Sequence, residues 1–267
     1  MKIGLSSWAF RWAAGTRDFR PAHPLTHQAL LEKASTLGAE VVQICDNMPL
    51  DDLDDASLAR LSDQAQRRGI VLEVGTTDTR REHMARFVEI AHLTGSHILR
   101  VVEDRQQWKP SLDDIVAELR ALLPACHKYD VTVAIENHTS IGTRDLARLV
   151  QTVGDPHVGI CLDTVNSIAR LEGWREVVEV LAPYTVSLHL KDAVAVRQGV
   201  GFYIAGRPLG KGSVDLHAVM DELRANGRQP NALFEAWMDG AQDGDATLRQ
   251  EEQWIAVSLV YMRQLIA

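Results

Sequence analysis

The chain has little cysteine, little aromatic character and no surplus of positive charge. Three cysteines occur in 267 residues (Cys45, Cys126 and Cys161), odd in number and far apart. That excludes a disulfide framework and a cysteine-based zinc site, and it fits free thiols in a reducing cytoplasm. Basic residues number 28 against 36 acidic ones, a net charge of −8. A nucleic-acid backbone or an anionic membrane calls for the opposite sign, so neither partner is expected. No apolar run approaches the roughly 18 residues of a membrane span. Ile3-Gly4-Leu5 is too short for a signal-peptide core, so a cytoplasmic location is the expectation. Linkers and low-complexity tracts are missing too. What remains, 46% hydrophobic and 24% charged residues, is the balance of a folded globular chain.

Short apolar runs alternate with amphipathic stretches from end to end. The strand candidates are Ile3–Ser6, Val41–Ile44, Val71–Val74, Ile98–Val102, Thr132–Ile135, Val158–Leu162, Val186–Leu190 and Ala232–Phe234. The spacing predicts helices over Thr26–Leu37, Ala56–Arg68, Arg81–Thr94, Leu112–Tyr129 (disturbed at Pro124), Arg144–Val153, Trp174–Leu181, Leu216–Asn226 and Thr247–Gln264. Several end at a glycine, the usual left-handed stop. Eight such units in 267 residues predict an α/β fold, a (β/α)8 TIM barrel in a single domain, residues 1–267. An open doubly wound sheet would carry a glycine-rich turn after its first strand; here that strand runs into Ser7-Trp8-Ala9-Phe10.

Buried barrel strands should be continuously apolar, yet seven carry a polar residue toward the carboxyl end: Gln43, Glu73, Arg100, Glu136, Asp163, His189 and Glu235. That end is where barrel active sites form. Glu136, Asp163, His189 and Glu235 belong to the last four strands. Three carboxylates and an imidazole suit a hard divalent ion, Mn²⁺, Mg²⁺ or Co²⁺. A hydrogen-bonded Asp–His–Glu cluster without metal is the alternative.

Four motifs, Ile135-Glu136-Asn137-His138, Cys161-Leu162-Asp163-Thr164, Leu188-His189-Leu190-Lys191-Asp192 and Leu233-Phe234-Glu235-Ala236-Trp237, resemble in order the metal-site strands of the sugar phosphate isomerase/epimerase family. These are the xylose isomerase-like barrels that include ketose 3-epimerases. The resemblance implies one divalent metal, Mn²⁺ first, on Glu136, Asp163, His189 and Glu235, with Glu136 and Glu235 as catalytic acid/base groups on opposite faces of a small carbohydrate. Isomerisation or epimerisation of a small ketose is the first expectation. Decarboxylation of a 3-oxo sugar acid, as in the related 3-oxo-isoapionate decarboxylases, is the second, and a non-catalytic sugar-binding barrel a distant third. Abasic-site endonucleases share this barrel, but they need more histidine ligands and a basic surface. A homo-oligomer stays open.

The epimerases of the family carry a histidine three residues after the metal aspartate; this chain has Asn166. Asn166 either bonds substrate or caps the segment toward Trp174. Arg100 either pairs with Glu73 or grips a substrate carboxylate. His138 and Lys191 face inward by strand parity and are further candidates for substrate contact, against a supporting histidine and a solvated lysine. Trp8, Phe10, Trp12 and Trp237 could wall the site or fill the core. Asp192–Val214 reads as a long glycine-rich loop, a lid that offers Arg197, Arg207 or Lys211 to the substrate. Its Gly206–Gly212 stretch lacks phosphate-loop spacing. Cys161 has no paired base and is not expected to be a nucleophile.

Overall fold

The computed structural model describes residues 1–103, 109–241 and 243–266. Eight strands close into a parallel barrel: β1 (Ile3–Ser6), β2 (Val41–Ile44), β3 (Val71–Thr77), β4 (Ile98–Val102), β5 (Thr132–Glu136), β6 (Val158–Asp163), β7 (Thr185–Leu190) and β10 (Ala232–Phe234). β1 pairs with both β2 and β10, which shuts the ring. Val, Ile and Leu dominate these strands because both faces are covered, by barrel interior on one side and helices on the other. Each predicted strand is present, and four run one to three residues longer than their apolar runs.

The covering helices follow the predicted alternation: α2 (His27–Thr36), α3 (Asp55–Arg67), α4 (Arg81–Thr94), α5 (Leu112–Tyr129), α6 (Thr143–Val153), α7 (Trp174–Leu181), α8 (Leu216–Ala225) and α9 (Gly244–Ile266). In α4 the buried face is Met84, Phe87, Val88, Ile90 and Ala91, a helical repeat, and Gly95 ends it at φ +70°. The disturbance expected at Pro124 is absent: α5 continues through it. Pro124 lies on the exposed face, so the carbonyl it leaves unpaired looks to solvent.

Two features depart from the expected plan. Asp192–Val214 is not a loop. It folds as an antiparallel hairpin, β8 (Asp192–Gln198) and β9 (Gly201–Arg207), followed by a turn that the Asp192 carboxylate gathers by accepting the backbone N–H groups of Gly210, Gly212 and Val214 at 2.8–3.1 Å. After β1, a single helical turn (Ser7–Phe10) leads into the short α1 (Arg11–Ala14) at the mouth of the barrel. Glu251 of α9 holds that segment by accepting the N–H of Trp12 at 2.6 Å and of Ala13 at 3.0 Å.

Burial pushes the Glu251 carboxyl up to about 7, against the lowering effect of those two N–H groups. Its folded pKa therefore lies above the unfolded value, and the stability it contributes is full at acid pH and declines as pH rises from about 4.5 to about 7. Chemical denaturation across that window should show wild type losing up to about 3 kcal/mol relative to Glu251→Gln. The same pH slope in both proteins would contradict the assignment.

Candidate metal and substrate site

The ends of β5, β6, β7 and β10 meet at the carboxyl mouth. Register puts Glu136 beside Cys161, Asp163 beside His189, and His189 beside Leu233, two residues before Glu235. Glu136, Asp163, His189 and Glu235 each offer a ligand atom, all within 4.8 Å of one another, and all four side chains are buried. Asn137 braces this corner: its amide donates to Asp163 O at 2.9 Å, and its oxygen accepts from Asp163 N at 2.7 Å. Thr164 clasps the next strand, its hydroxyl donating to Lys191 O at 2.7 Å and accepting from Lys191 N at 2.9 Å.

His189 Nδ1 faces the carboxylates, 3.3 Å from Glu235 Oε1, 3.4 Å from Glu136 Oε2 and 4.0 Å from Asp163 Oδ2. Its other nitrogen, Nε2, lies 2.7 Å from Gln43 Oε1. Gln43 donates its amide to Glu73 at 3.0 Å, so its oxygen is the end that accepts, and Nε2 carries a hydrogen. Among the described residues, His189 Nδ1 and Glu235 Oε1 are buried without a hydrogen-bond partner, and Asp163 Oδ2 has an ion pair to Lys191 without hydrogen-bond alignment. Two unpartnered ligand atoms, with a third held only by an ion pair, surround one point and fit a divalent cation.

The electrostatics make the same demand. Burial opposes charge on His189, yet Cys161, Glu235 and Glu136 lift its pKa well above the ordinary value. Burial would raise Glu136, but Arg100, His189 and Lys191 hold it well below the carboxylate range. Glu235 is likewise drawn down to about 2 by His189 and Lys191, against its burial. Asp163 moves up through burial, which Lys191 opposes and Glu136 and Glu235 reinforce. Burial raises the Cys161 thiol as well, consistent with an inert residue.

Arg100 corrects the expectation of a pair with Glu73. Its Nε donates to Glu136 Oε2, and its Nη1 lies 3.0 Å from Asp46 Oδ1. Glu73 sits below the site, accepting from Gln43 and, at 2.9 Å, from Asn231; it supports His189 through Gln43 and does not line the cavity. Asn166 is no helix cap, a place that Gly173 takes for α7. Its amide donates to Glu136 Oε1 at 2.6 Å and its oxygen accepts from Lys191 Nζ at 3.1 Å. Lys191 is not solvated: it bridges Asp163 Oδ2 and Glu235 Oε2, each at 2.8 Å.

A cavity of about 240 Å³ opens above these groups, lined by Trp8, Arg11, Asp46, Arg100, Glu136, His138, Lys191, Glu235 and Trp237 among others. Of the aromatic residues left open between wall and core, Trp8 and Trp237 line this cavity. Phe10 is buried in the core, and Trp12 packs edge-on against Phe19. Arg197 is exposed near the hairpin turn, bonded to Gly199 O, and Arg207 bonds Gly206 O; neither they nor Lys211 line the cavity. Arg11 and Asp46 were missed in the sequence, because Arg11 opens a single helical turn and Asp46 lies two residues past β2, where no period marks either.

Eight parallel strands closed into one ring, with a buried carboxylate–imidazole cluster at the carboxyl mouth, make this chain a TIM barrel. The chain belongs to the xylose isomerase-like TIM barrel family, whose model matches residues 31–265. It is 36% identical over 264 residues to the 3-oxo-isoapionate decarboxylase of Pectobacterium atrosepticum, covering 98% of this chain and 95% of that one. In fold it is similar to a D-psicose 3-epimerase solved in the presence of D-fructose (TM-score 0.76, 14% identity, 99% of each chain). It is also similar to a xylose isomerase-like barrel from Mycobacterium smegmatis solved with magnesium (TM-score 0.68, 15% identity, 96% of each chain).

Arg100 balances two carboxylates, so Arg100→Met should destabilise the fold by about 3–5 kcal/mol in chemical denaturation, the cost of stranding buried charge. Adding Glu136→Gln should recover part of that loss, because the pair is coupled. Strictly additive effects would separate the two residues.

Proposed function

We propose that this protein is a divalent-metal-dependent enzyme that decarboxylates a small 3-oxo sugar acid. The observation that carries the reading over a paired proton exchange lies at Glu136. Both its oxygens already accept hydrogen bonds, from Arg100 and Asn166, so it is poorly free to take a carbon-bound proton. The 36% identity to a 3-oxo-isoapionate decarboxylase over nearly the whole chain supports the same choice.

Glu136, Asp163, His189 and Glu235 would hold the ion, with Mn²⁺ proposed and Mg²⁺ or Co²⁺ as substitutes. When bound, it would lend positive charge to the ketone oxygen as negative charge develops there. In a 3-oxo acid the bond to the carboxylate carbon breaks, its electron pair moves toward the ketone to form an enolate, and CO₂ leaves. The enolate carbon then needs one proton and no paired base. Lys191 lines the cavity as an ammonium, its Nζ 2.8 Å from Asp163 Oδ2 and from Glu235 Oε2, and is the proposed source of that proton. Trp8 and Trp237 shield the reacting end from water.

Epimerisation of a ketose is the second reading, favoured by the near-equal distances of Glu136 and Glu235 from His189 Nδ1. Incubating the Mn²⁺-loaded protein with 3-oxo-isoapionate in D₂O separates the two. Decarboxylation predicts CO₂ release that a chelator stops, one deuteron in each product molecule, and a loss of about 10²–10⁴-fold in kcat for Lys191→Met. Deuterium entering a ketose without CO₂, with equal collapse of Glu136→Gln and Glu235→Gln, would replace decarboxylation by epimerisation.

A further inference from the structure

Of the cations that line the cavity, Arg100 and Lys191 are consumed by the site's own carboxylates. Arg11 is different. It is exposed, it lines the cavity, and among the described residues no carboxylate lies within ion-pair distance of it. Its guanidinium rests 5.2 Å from the centroid of the Trp12 ring, a contact that orients the group without neutralising it.

The backbone beneath Arg11 is unusually well fixed for a short mouth segment. Ser6 Oγ accepts the N–H of Trp8 at 3.2 Å, Glu251 takes those of Trp12 and Ala13, and Trp12 Nε1 donates to Met238 O at 2.9 Å. The adjoining shallow cavity, which Arg11 also lines, contains Asp239, and that carboxylate accepts the Tyr203 hydroxyl at 2.6 Å. A free guanidinium on a rigid support, at the rim of a cavity with a carboxylate-rich floor, has a use for a second anion.

Charge balance points the same way. Asp46, Glu136, Asp163 and Glu235 are set against Arg100 and Lys191, leaving two negative charges, which a divalent ion would cancel. Arg11, which lines the rim with no carboxylate in ion-pair distance among the described residues, is then the cation left to meet a negative charge on the substrate.

We propose that Arg11 anchors the carboxylate of an acyclic sugar acid at the mouth of the cavity and so selects acids over neutral sugars. This rests on the metal-site reading above but is independent of turnover, because it concerns binding. The anchor holds the acid group toward the rim while the neighbouring ketone reaches the carboxylate–imidazole cluster on the floor.

Calorimetric titration of the Mn²⁺-loaded protein with D-erythronate and with erythritol tests it. Wild type should bind the acid at least about 30-fold more tightly than the alditol, a preference that added salt weakens. Arg11→Met should remove most of that preference while leaving erythritol affinity and Mn²⁺ stoichiometry unchanged, and Arg11→Lys should keep part of it. A wild type indifferent to the carboxylate, or an Arg11→Met variant as selective as wild type, overturns the anchor. Neither result bears on whether CO₂ is released from 3-oxo-isoapionate, so the two readings fail separately.

Discussion

Three buried carboxylates facing one imidazole nitrogen are the constraint on which the rest of this barrel depends. Taken into a low-dielectric interior without compensation, such a group would repel itself apart or take up protons. The fold answers with Lys191 between Asp163 and Glu235 on one side and Arg100 between Glu136 and Asp46 on the other. At the centre, at His189 Nδ1, the demand for positive charge persists, and it shows in the raised pKa of the imidazole. The deeper polar chain from His189 through Gln43 to Glu73 serves the same end, since it orients the ring from below.

The two glutamates are held differently, and this shapes the chemistry. Glu136 is bound on both oxygens, by a guanidinium and by the Asn166 amide. Glu235 pairs with Lys191 through one oxygen and leaves the other unpartnered toward His189. Asn166 is part of that asymmetry: its amide ties Glu136 to Lys191. The proposed single proton transfer rests on this asymmetry.

Much of this was legible in the sequence because the strands are buried on both faces, so a polar residue at a strand end stands out against Val, Ile and Leu. Glu136, Asp163, His189 and Glu235 were visible for that reason, as were the helices closed by Gly95 and Gly154. The partner of Arg100 was not. Register aligns Arg100 with Gly75 and Ala134, so Glu73 lies two residues below it and Glu136 two above. Its side chain rises toward the mouth, past Gly75, where a Cβ would stand 3.3 Å from Arg100 Cδ. Stagger between strands has no signature in linear order. The hairpin of β8 and β9 was hidden by its own composition, because glycine and basic residues masked a short alternating run. Arg11 escaped notice because a single helical turn has no period to read.

The claim that the carboxylate–imidazole cluster is a single-metal site is tested most directly by titrating Mn²⁺ into chelator-treated protein and measuring stoichiometry by calorimetry, beside the Asp163→Ala variant. The account predicts one ion per wild-type chain, a raised unfolding temperature on binding, and loss of both in the variant. Full stoichiometry and affinity in Asp163→Ala, or no saturable binding to wild type, would contradict it.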